Sequence, residues 1–280
     1  MMLYKKNVNT NNTNDSRSII YNAIRSESTV LDMGCACGDL AEKLKKEKNC
    51  KIFGLEYNKE SVEKCVKKNV FESVLQFDLN ELSYTSFPEF VGKFDYIIFG
   101  DILEHLLSPK DILKISLKYL KTSSDGVISG GKLLISLPNL GHASIKTNLL
   151  LNDFTRTPLG ILDNTHLHFF TCHNIAEFLA EIGLDIENIF YTTLPFDGYQ
   201  PHKISELPVE IADFITNDPH SKIFQYVLLC VPCPSVSKHM LDIKLTSLKV
   251  DISRPTLVFK IKRFIMNQCP QIIKYVEKFR

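Results

Sequence analysis

The chain has 280 residues, of which 44% are hydrophobic and 23% charged, and its formal net charge is +1. This is the composition of a globular protein with a large core, and the near-neutral charge gives no indication of a polyanionic partner. Apolar runs stay shorter than the ~20 residues of a membrane span, and the N-terminus lacks the apolar segment of a secretory signal. Several of the eight cysteines lie in apolar runs, where a free thiol behaves as a small hydrophobe, so we expect a reduced, cytoplasmic compartment.

Predicted strands and helices alternate along the first half of the chain. After a short amphipathic helix at 16–26, strands are predicted at 29–33, 51–57, 73–78, 94–100 and 132–137, and helices at 39–48, 59–69 and 109–120. Such alternation indicates βαβ units and a mostly parallel sheet. The apolar run at 96–99 is typical of a strand covered on both faces.

The pattern is looser after residue 140. Helices are predicted at 145–154, 173–182 and 208–216, and strands at 184–194 and 224–231. Residues 241–252 alternate apolar and polar side chains, which favours an extra strand, and 256–279 have helical spacing interrupted by a proline. We therefore divide the chain into a flexible segment and helix (1–28), one α/β domain (29–234) and a C-terminal extension (235–280).

The extension is strongly basic. It has ten Lys and Arg residues against three acidic ones, a net charge of +7, which leaves −6 for the rest of the chain. An amphipathic segment at 256–280 fits a peripheral contact with an anionic membrane, but it fits a packed helix or half of a homodimer contact equally well. The acidic body argues against nucleic acid as a partner.

The segment VLDMGCACG, residues 30–38, predicts a ligand site at the end of the first strand. Gly34, Ala36 and Gly38 form a turn of small residues between strand and helix, where a ligand can approach the backbone. A dinucleotide fingerprint would need glycine in place of Ala36 and Asp39, so a nicotinamide cofactor is disfavoured. Asp32 sets an anion before the turn and favours a cationic ligand.

Two further strands also end in acidic residues. Glu56 and Tyr57 end the second strand, and Glu56 lies at the spacing from the first turn at which a carboxylate accepts ribose hydroxyls. Asp78 and Leu79 follow the third strand, where a carboxylate can accept a hydrogen bond from an adenine amino group. Carboxyl groups at three successive strand ends predict one nucleoside-binding edge.

These motifs resemble those of class I S-adenosylmethionine-dependent methyltransferases, within the broad group of ubiquinone-biosynthesis O-methyltransferase-like and MetW-like proteins. The resemblance rests on VLDMGCACG, GLEYN, FDLNEL, FDYIIFGDILEHLLSP, LKTSSDGVISGGKLLISLPN and LDNTHLHFFT, between about residues 16 and 234. It implies a Rossmann-like sheet of order 3-2-1-4-5-7-6, with strand 7 antiparallel and helices on both faces, and S-adenosylmethionine as cofactor. Two departures are Ala36, in place of a central glycine, and extra residues at 122–129.

The residues after the fourth strand are candidates for catalysis. His105 is the first candidate for a general base, with Glu104 as its orienting partner, and His166 or His168 as a lining residue of the acceptor site. Each of these histidines, and His142 after the fifth strand, has an alternative role at a helix start or in the core.

Asp101, Glu104, His105 and His166 resemble the acidic and histidine set with which small-RNA 2′-O-methyltransferases hold Mg²⁺, although Asp101 stands where those enzymes have Glu. Histidines are poor Mg²⁺ ligands, however, so we expect no resident metal. The sequence therefore predicts a methyltransferase for a small molecule or a saccharide or lipid precursor, with O-methylation favoured over N-methylation. The alternatives are RNA 2′-O-methylation with Mg²⁺ and a non-catalytic cofactor-binding or scaffolding protein.

Overall fold

The computed structural model describes residues 8–123 and 128–250, and within them the chain forms one seven-stranded sheet flanked by helices. The strands are β1 (Thr29–Met33), β2 (Lys51–Glu56), β3 (Ser73–Gln76), β4 (Tyr96–Gly100), β5 (Lys132–Pro138), β6 (Leu184–Thr193) and β7 (Ile223–Pro232). The helices are α1 (Ser16–Ala23), α2 (Asp39–Lys48), α3 (Lys59–Lys68), α4 (Pro109–Ser116), α5 (Ala143–Leu150), α6 (Cys172–Ala180), α7 (Val209–Asn217) and α8 (Lys238–Thr246).

The strand order is β3-β2-β1-β4-β5-β7-β6. The five strands from β3 to β5 pair in parallel, whereas β7 runs antiparallel to both β5 and β6. The predicted order and the antiparallel strand are thereby confirmed. Because β1 to β4 are parallel, the turns that follow them all lie at one edge of the sheet, which is where α/β proteins of this type bind ligands.

The alternation of side chains along β4 explains the two apolar layers. Tyr96 and Ile98 pack with the core beneath α1 and α2, whereas Ile97 and Phe99 pack with the core beneath α4 and α6. Successive side chains of a strand point to opposite faces, so a continuous apolar run fills both layers at once. This burial fixes the position of the residues that follow β4.

One element of the C-terminal extension differs from its prediction. The alternating residues 241–252 were expected to form a strand, but Lys238–Thr246 is the helix α8, with Ser237 accepting a hydrogen bond from the N–H of Met240 as its N-cap. Leu241 and Leu245 are one helical turn apart and both are buried in the core with α6. The alternation of apolar residues is typical of a strand, but the Leu241 and Leu245 pair at i, i+4 and the Ser237 N-cap stabilise a helix.

Some basic residues of the extension are paired with the body. Lys244 lies 2.5 Å from Asp185 and Lys238 lies 3.4 Å from Glu177. The segment 256–280 lies outside the described residues. In the described part of the chain, no helix has the length and apolar character needed to cross a membrane.

Candidate active site

The turn after β1 has a backbone that small residues accept best. Gly34, Ala36 and Gly38 have positive φ angles of +89°, +47° and +72°. The N–H of Gly34 donates to the carbonyl of Leu55 at 2.8 Å, which ties the turn to β2. A Cβ on Gly34 would lie 3.0 Å from Cδ1 of Ile102, so the loop after β4 packs directly on this turn.

Glu56 is held at the end of β2 by two backbone hydrogen bonds. The N–H of Ala36 donates to Oε2 at 2.8 Å, and the N–H of Asn58 donates to Oε1 at 2.8 Å. A carboxylate offers about four lone pairs, so both oxygens keep the capacity to accept a ligand hydroxyl. The turn after β1 therefore positions the predicted ribose-binding carboxylate.

Asp32 is a carboxyl group within the sheet and is only 6% exposed. Burial, and to a smaller extent the charge of Glu56, raises the pKa of Asp32 from 3.8 to about 7. A nearby cation favours the ionised form of such a group and offsets the cost of burying its charge. The environment of Asp32 would therefore suit a cationic group, and the cationic ligand stays a prediction.

The other predicted cofactor-binding residues follow β2 and β3. Tyr57 is 67% exposed, whereas Leu79 is buried. Asp78 caps a short 3₁₀ turn, where its Oδ1 accepts hydrogen bonds from the N–H of Asn80 at 2.9 Å and from its side-chain amide at 3.0 Å. The eight predicted residues thus lie along the carboxyl ends of β1, β2 and β3.

Asp101 is fixed by three elements that the sequence motifs do not connect. Its φ angle is +53°, a conformation that is costly for a residue with a Cβ. Its Oδ1 accepts hydrogen bonds from Ser136 of β5 at 2.5 Å and from Gln225 of β7 at 2.9 Å, and Ser16 of α1 donates to Oδ2 at 3.3 Å. This network holds the loop after β4 in place.

Glu104, His105 and His166 come together beyond β4. The two imidazole rings stand edge to face with 4.8 Å between their centroids. One atom from each of the three residues that could ligate a metal, a carboxylate oxygen or an imidazole nitrogen, lies within 4.8 Å of the other two. Glu104 is 1% and His166 7% exposed, and His105 is half-buried. The three catalytic candidates therefore form one cluster, although His166 lies far along the chain from the other two.

Both histidine rings are held through Nδ1. The Nδ1 of His166 lies 2.9 Å from the carbonyl oxygen of Ile161. The Nδ1 of His105 lies 3.3 Å from the carbonyl oxygen of Thr165 and 3.1 Å from its hydroxyl, whose proton is donated to Asp163 at 2.6 Å. These partners only accept, so we assign the proton to each Nδ1 and a lone pair to each Nε2. Thr165 thus orients His105, the role that we predicted for Glu104.

Glu104 is buried without a full set of partners. Its Oε2 has no hydrogen-bond partner among the described residues. Burial, followed by the charge of Asp101, raises the pKa of Glu104 well above its usual value. Burial, together with a charge on His105, lowers the pKa of His166. In the protein alone, the cluster therefore favours neutral forms of both groups.

The loop that carries His166 is shaped by Arg156, a residue that sequence reasoning missed. The guanidinium of Arg156 donates to the carbonyl oxygens of Asp163 and His166 at 2.5 and 2.7 Å. The N–H groups of Leu167 and His168 donate to the carbonyl oxygen of Glu104 at 2.7 and 3.1 Å. Its place just before LDNTHLHFFT was the only sequence signal for Arg156.

His142 has the helix-start role that was its alternative. Its Nδ1 accepts a hydrogen bond from the N–H of Ser144 at 3.2 Å and caps α5. Burial is the main cause that lowers the pKa of His142 to about 4. This histidine therefore stays neutral as part of the fold.

Segments that carry no motif are held together by side-chain contacts. Asn14 accepts from the N–H of Thr193 at 2.6 Å and donates to its carbonyl at 3.0 Å, which attaches the N-terminal segment to the end of β6. Asn148 of α5 donates to Gln200 at 2.9 Å. One small apolar cluster contains Ala143, Ile204, Leu207, Ala212 and Ile215. Residues 143–151 and 196–215 thus form a single cap.

Comparison with known proteins agrees with this architecture. The family model described as methionine biosynthesis protein MetW matches residues 14–213. No curated protein has a significant match to the chain. Among solved structures, the 4+2 cyclase SpnF is similar with a TM-score of 0.52 and 14% identity, covering 78% of this chain and 79% of its own. A candidate methyltransferase from Bacillus halodurans C-125 is similar with a TM-score of 0.50 and 14% identity, covering 77% of this chain and 97% of its own.

The strand order and the similar solved structures define the class I S-adenosylmethionine-dependent methyltransferase fold. Within it, the chain belongs to the MetW family, whose model covers most of its length. Structural similarity at 14% identity establishes the fold alone, and one of the two neighbours is a cyclase. The reaction therefore has to be argued from the residues of the site.

Proposed function

We propose that this protein transfers a methyl group from S-adenosylmethionine to a hydroxyl group of a small molecule or of a saccharide or lipid precursor. The observation that carries the proposal is the pair of carboxyl groups at the ends of β1 and β2. Asp32 is buried with a raised pKa, and Glu56 is held by two backbone N–H groups. One carboxyl group suits a cation and the other suits a diol, and this cofactor has both.

The residues at this edge fit the cofactor. Glu56 would accept hydrogen bonds from the ribose hydroxyls, and Asp78 would accept one from the adenine amino group. Asp32 would lie towards the charged methionine portion of the cofactor. The turn of Gly34, Ala36 and Gly38 lets the backbone come close to the ligand. When bound, S-adenosylmethionine supplies a methyl group that is already activated by its attachment to a sulfonium.

With an activated donor, the protein has to orient the acceptor, exclude water and remove a proton. His105 is half-buried, and its Nδ1–H is directed at Thr165. Its Nε2 is therefore the atom that would take the proton of an acceptor hydroxyl. Glu104 and His166, which are both buried, lie beside His105. An acceptor amine would need this base less, because an amine in its free-base form already carries a lone pair.

The acceptor would be selected by the cap rather than by the sheet. Residues 143–151 and 196–215 pack together, and the N-terminal segment is attached beside them through Asn14. Loops on a rigid scaffold are where substrate selection is usually found. The net charge of −6 outside residues 235–280 favours a small-molecule, saccharide or lipid acceptor over RNA.

The proposal is tested with the purified full chain, methyl-labelled S-adenosylmethionine and a host extract separated into small-molecule, lipid, glycan and RNA fractions. We expect label in one of the first three fractions. Label in the RNA fraction would contradict the proposed acceptor class. Cofactor binding by calorimetry without transfer to any fraction would reject the enzyme in favour of a non-catalytic binding protein.

Three variants separate binding from transfer. Glu56→Gln should weaken cofactor binding about tenfold or more, because it removes the ionised acceptor of two hydroxyls. His105→Gln should leave cofactor binding unchanged and reduce transfer about 10²-fold or more, the usual contribution of a positioned base. The exposed His239→Gln on α8 is the matched control and should alter neither. Equal transfer by the His105 variant and the control would remove the base from the mechanism.

A further inference from the structure

The cluster beyond β4 holds a carboxylate and two imidazoles in a mostly buried place. Glu104, His105 and His166 each bring one ligand-type atom within 4.8 Å of the other two. Within residues 8–123 and 128–250, Oε2 of Glu104 has no hydrogen-bond partner, and the residue is only 1% exposed. A buried carboxyl oxygen without a partner is costly, so it favours a bound group that the described residues do not provide.

The two rings are oriented as ligands rather than as members of a hydrogen-bond chain. Both Nδ1 atoms face carbonyl oxygens, of Ile161 for His166 and of Thr165 for His105. Each Nε2 therefore keeps its lone pair. A ligating histidine commonly donates its other N–H to a carbonyl or carboxylate, which fixes both the tautomer and the ring plane. Here, both histidines have this second partner.

We propose that Glu104, His105 and His166 form a binding site for one divalent transition-metal ion. Two imidazoles and one carboxylate suit ions such as Zn²⁺, Fe²⁺, Co²⁺ and Mn²⁺, and they are a poor set for Mg²⁺, which prefers oxygen ligands. Three protein ligands leave one or more coordination positions open for water or a substrate oxygen. This proposal replaces our expectation, from the sequence, of a protein without a resident metal.

Metal binding requires a small contraction of the cluster. Ligand atoms at about 2.1 Å from an ion lie roughly 3.0–3.4 Å from one another, compared with separations of up to 4.8 Å here. Side-chain rotation would have to bring the ligand atoms together, and His105 is less enclosed than Glu104 and His166. The backbone is already fixed, because the N–H groups of Leu167 and His168 bind the carbonyl oxygen of Glu104.

The site would change the role of His105 in the proposed function. Nε2 of His105 cannot be a metal ligand and a proton acceptor at the same time. An ion at this place would take over the activation of an acceptor hydroxyl, since a bound ion lowers the pKa of an oxygen that it coordinates. Metal binding is measured without acceptor or cofactor, so its failure would leave His105 as a free base and the proposed transfer intact.

The test uses the full chain, treated with EDTA and then dialysed, and titrated separately with Zn²⁺, Co²⁺, Mn²⁺ and Mg²⁺ in a calorimeter. We expect one equivalent of at least one of the first three ions to bind at micromolar concentration or below, and Mg²⁺ to bind at least about 100-fold more weakly. With Co²⁺, the visible absorption spectrum reports nitrogen and oxygen ligation directly. Absence of binding by all three transition ions at millimolar concentration would overturn the proposal.

Ligand variants locate the ion. Glu104→Gln, His105→Gln and His166→Gln should each weaken binding at least about tenfold, whereas His239→Gln, on α8 outside the cluster, should bind as the wild type does. Circular dichroism checks that each variant is folded. If the buried Glu104 variant unfolds, the half-buried His105 variant alone decides the question. Wild-type affinity in a folded His105 variant would overturn the assignment.

Discussion

Replacing Asp32 by Asn should change the way in which stability depends on pH. Burial, followed by the charge of Glu56, raises the pKa of Asp32 from 3.8 to about 7. In the native state without ligand, this carboxyl group therefore binds its proton more strongly than it does in the unfolded chain. Stability falls with rising pH wherever the native state binds more protons than the unfolded state.

The magnitude follows from the difference between the two pKa values. A change from 3.8 to about 7 corresponds to about 4 kcal/mol of unfolding free energy. This contribution is fully present below about pH 4, is lost progressively as the pH rises towards 7, and changes little at higher pH. Asn has nearly the same shape and no charge, so the variant lacks this loss. If the Asn side chain also changes stability in a way that does not depend on pH, the difference in unfolding free energy between variant and wild type shifts by the same amount at every pH, and its dependence on pH is unchanged.

The assay is urea unfolding of both proteins without ligand at intervals from pH 4 to pH 8.5. We expect the variant to gain up to about 4 kcal/mol relative to the wild type across this range. Exposed Asp111→Asn serves as the control, and its difference from the wild type should stay within about 0.5 kcal/mol at every pH. A difference for Asp32→Asn that is equally flat would refute the buried, proton-binding carboxyl group. The same variant should lose affinity for S-adenosylmethionine, since it removes the anion opposite a cationic ligand.

Three further changes test the local geometry by the free energy of unfolding. Gly54→Ala should destabilise the protein by about 1–3 kcal/mol, because the new Cβ would lie 2.7 Å from Sγ of Cys35 and 2.8 Å from the ring of Phe71. Adding Cys35→Ala to this variant should restore part of the lost stability, and strictly additive effects of the two changes would contradict the contact. Asp15→Ala should cost about 1 kcal/mol by removing the N-cap of α1, whereas Asp15→Asn keeps the acceptor and should cost little. Ala36→Gly should be neutral or stabilising by up to about 1 kcal/mol, because φ is +47° there, and a clear loss would show that the methyl group of Ala36 contributes packing.

The sequence was sufficient for the sheet and for the placement of three acidic residues at one edge of it. Apolar runs and helical spacing are local signals, and they placed β1 and α2 with the bounds that the structure has. Asp32, Glu56 and Asp78 were predicted to share an edge because parallel strands connected by helices all end on the same side. This deduction needs only the order of the elements, and the resemblance to a known fold supplied that order.

Only the tertiary structure decided what surrounds these residues. The sequence named Glu104, His105 and His166, but nothing local connects the loop after β4 with a loop far along the chain, or assigns Thr165 as the partner of His105. The network around Asp101 joins α1, β5 and β7 and has no motif. The prediction from the sequence pattern was also wrong at α8. The alternation of apolar residues there is typical of a strand, but Leu241 and Leu245 pack with α6 as part of a helix. Side-chain partners across the fold depend on how elements pack in space, and a linear pattern does not contain that information.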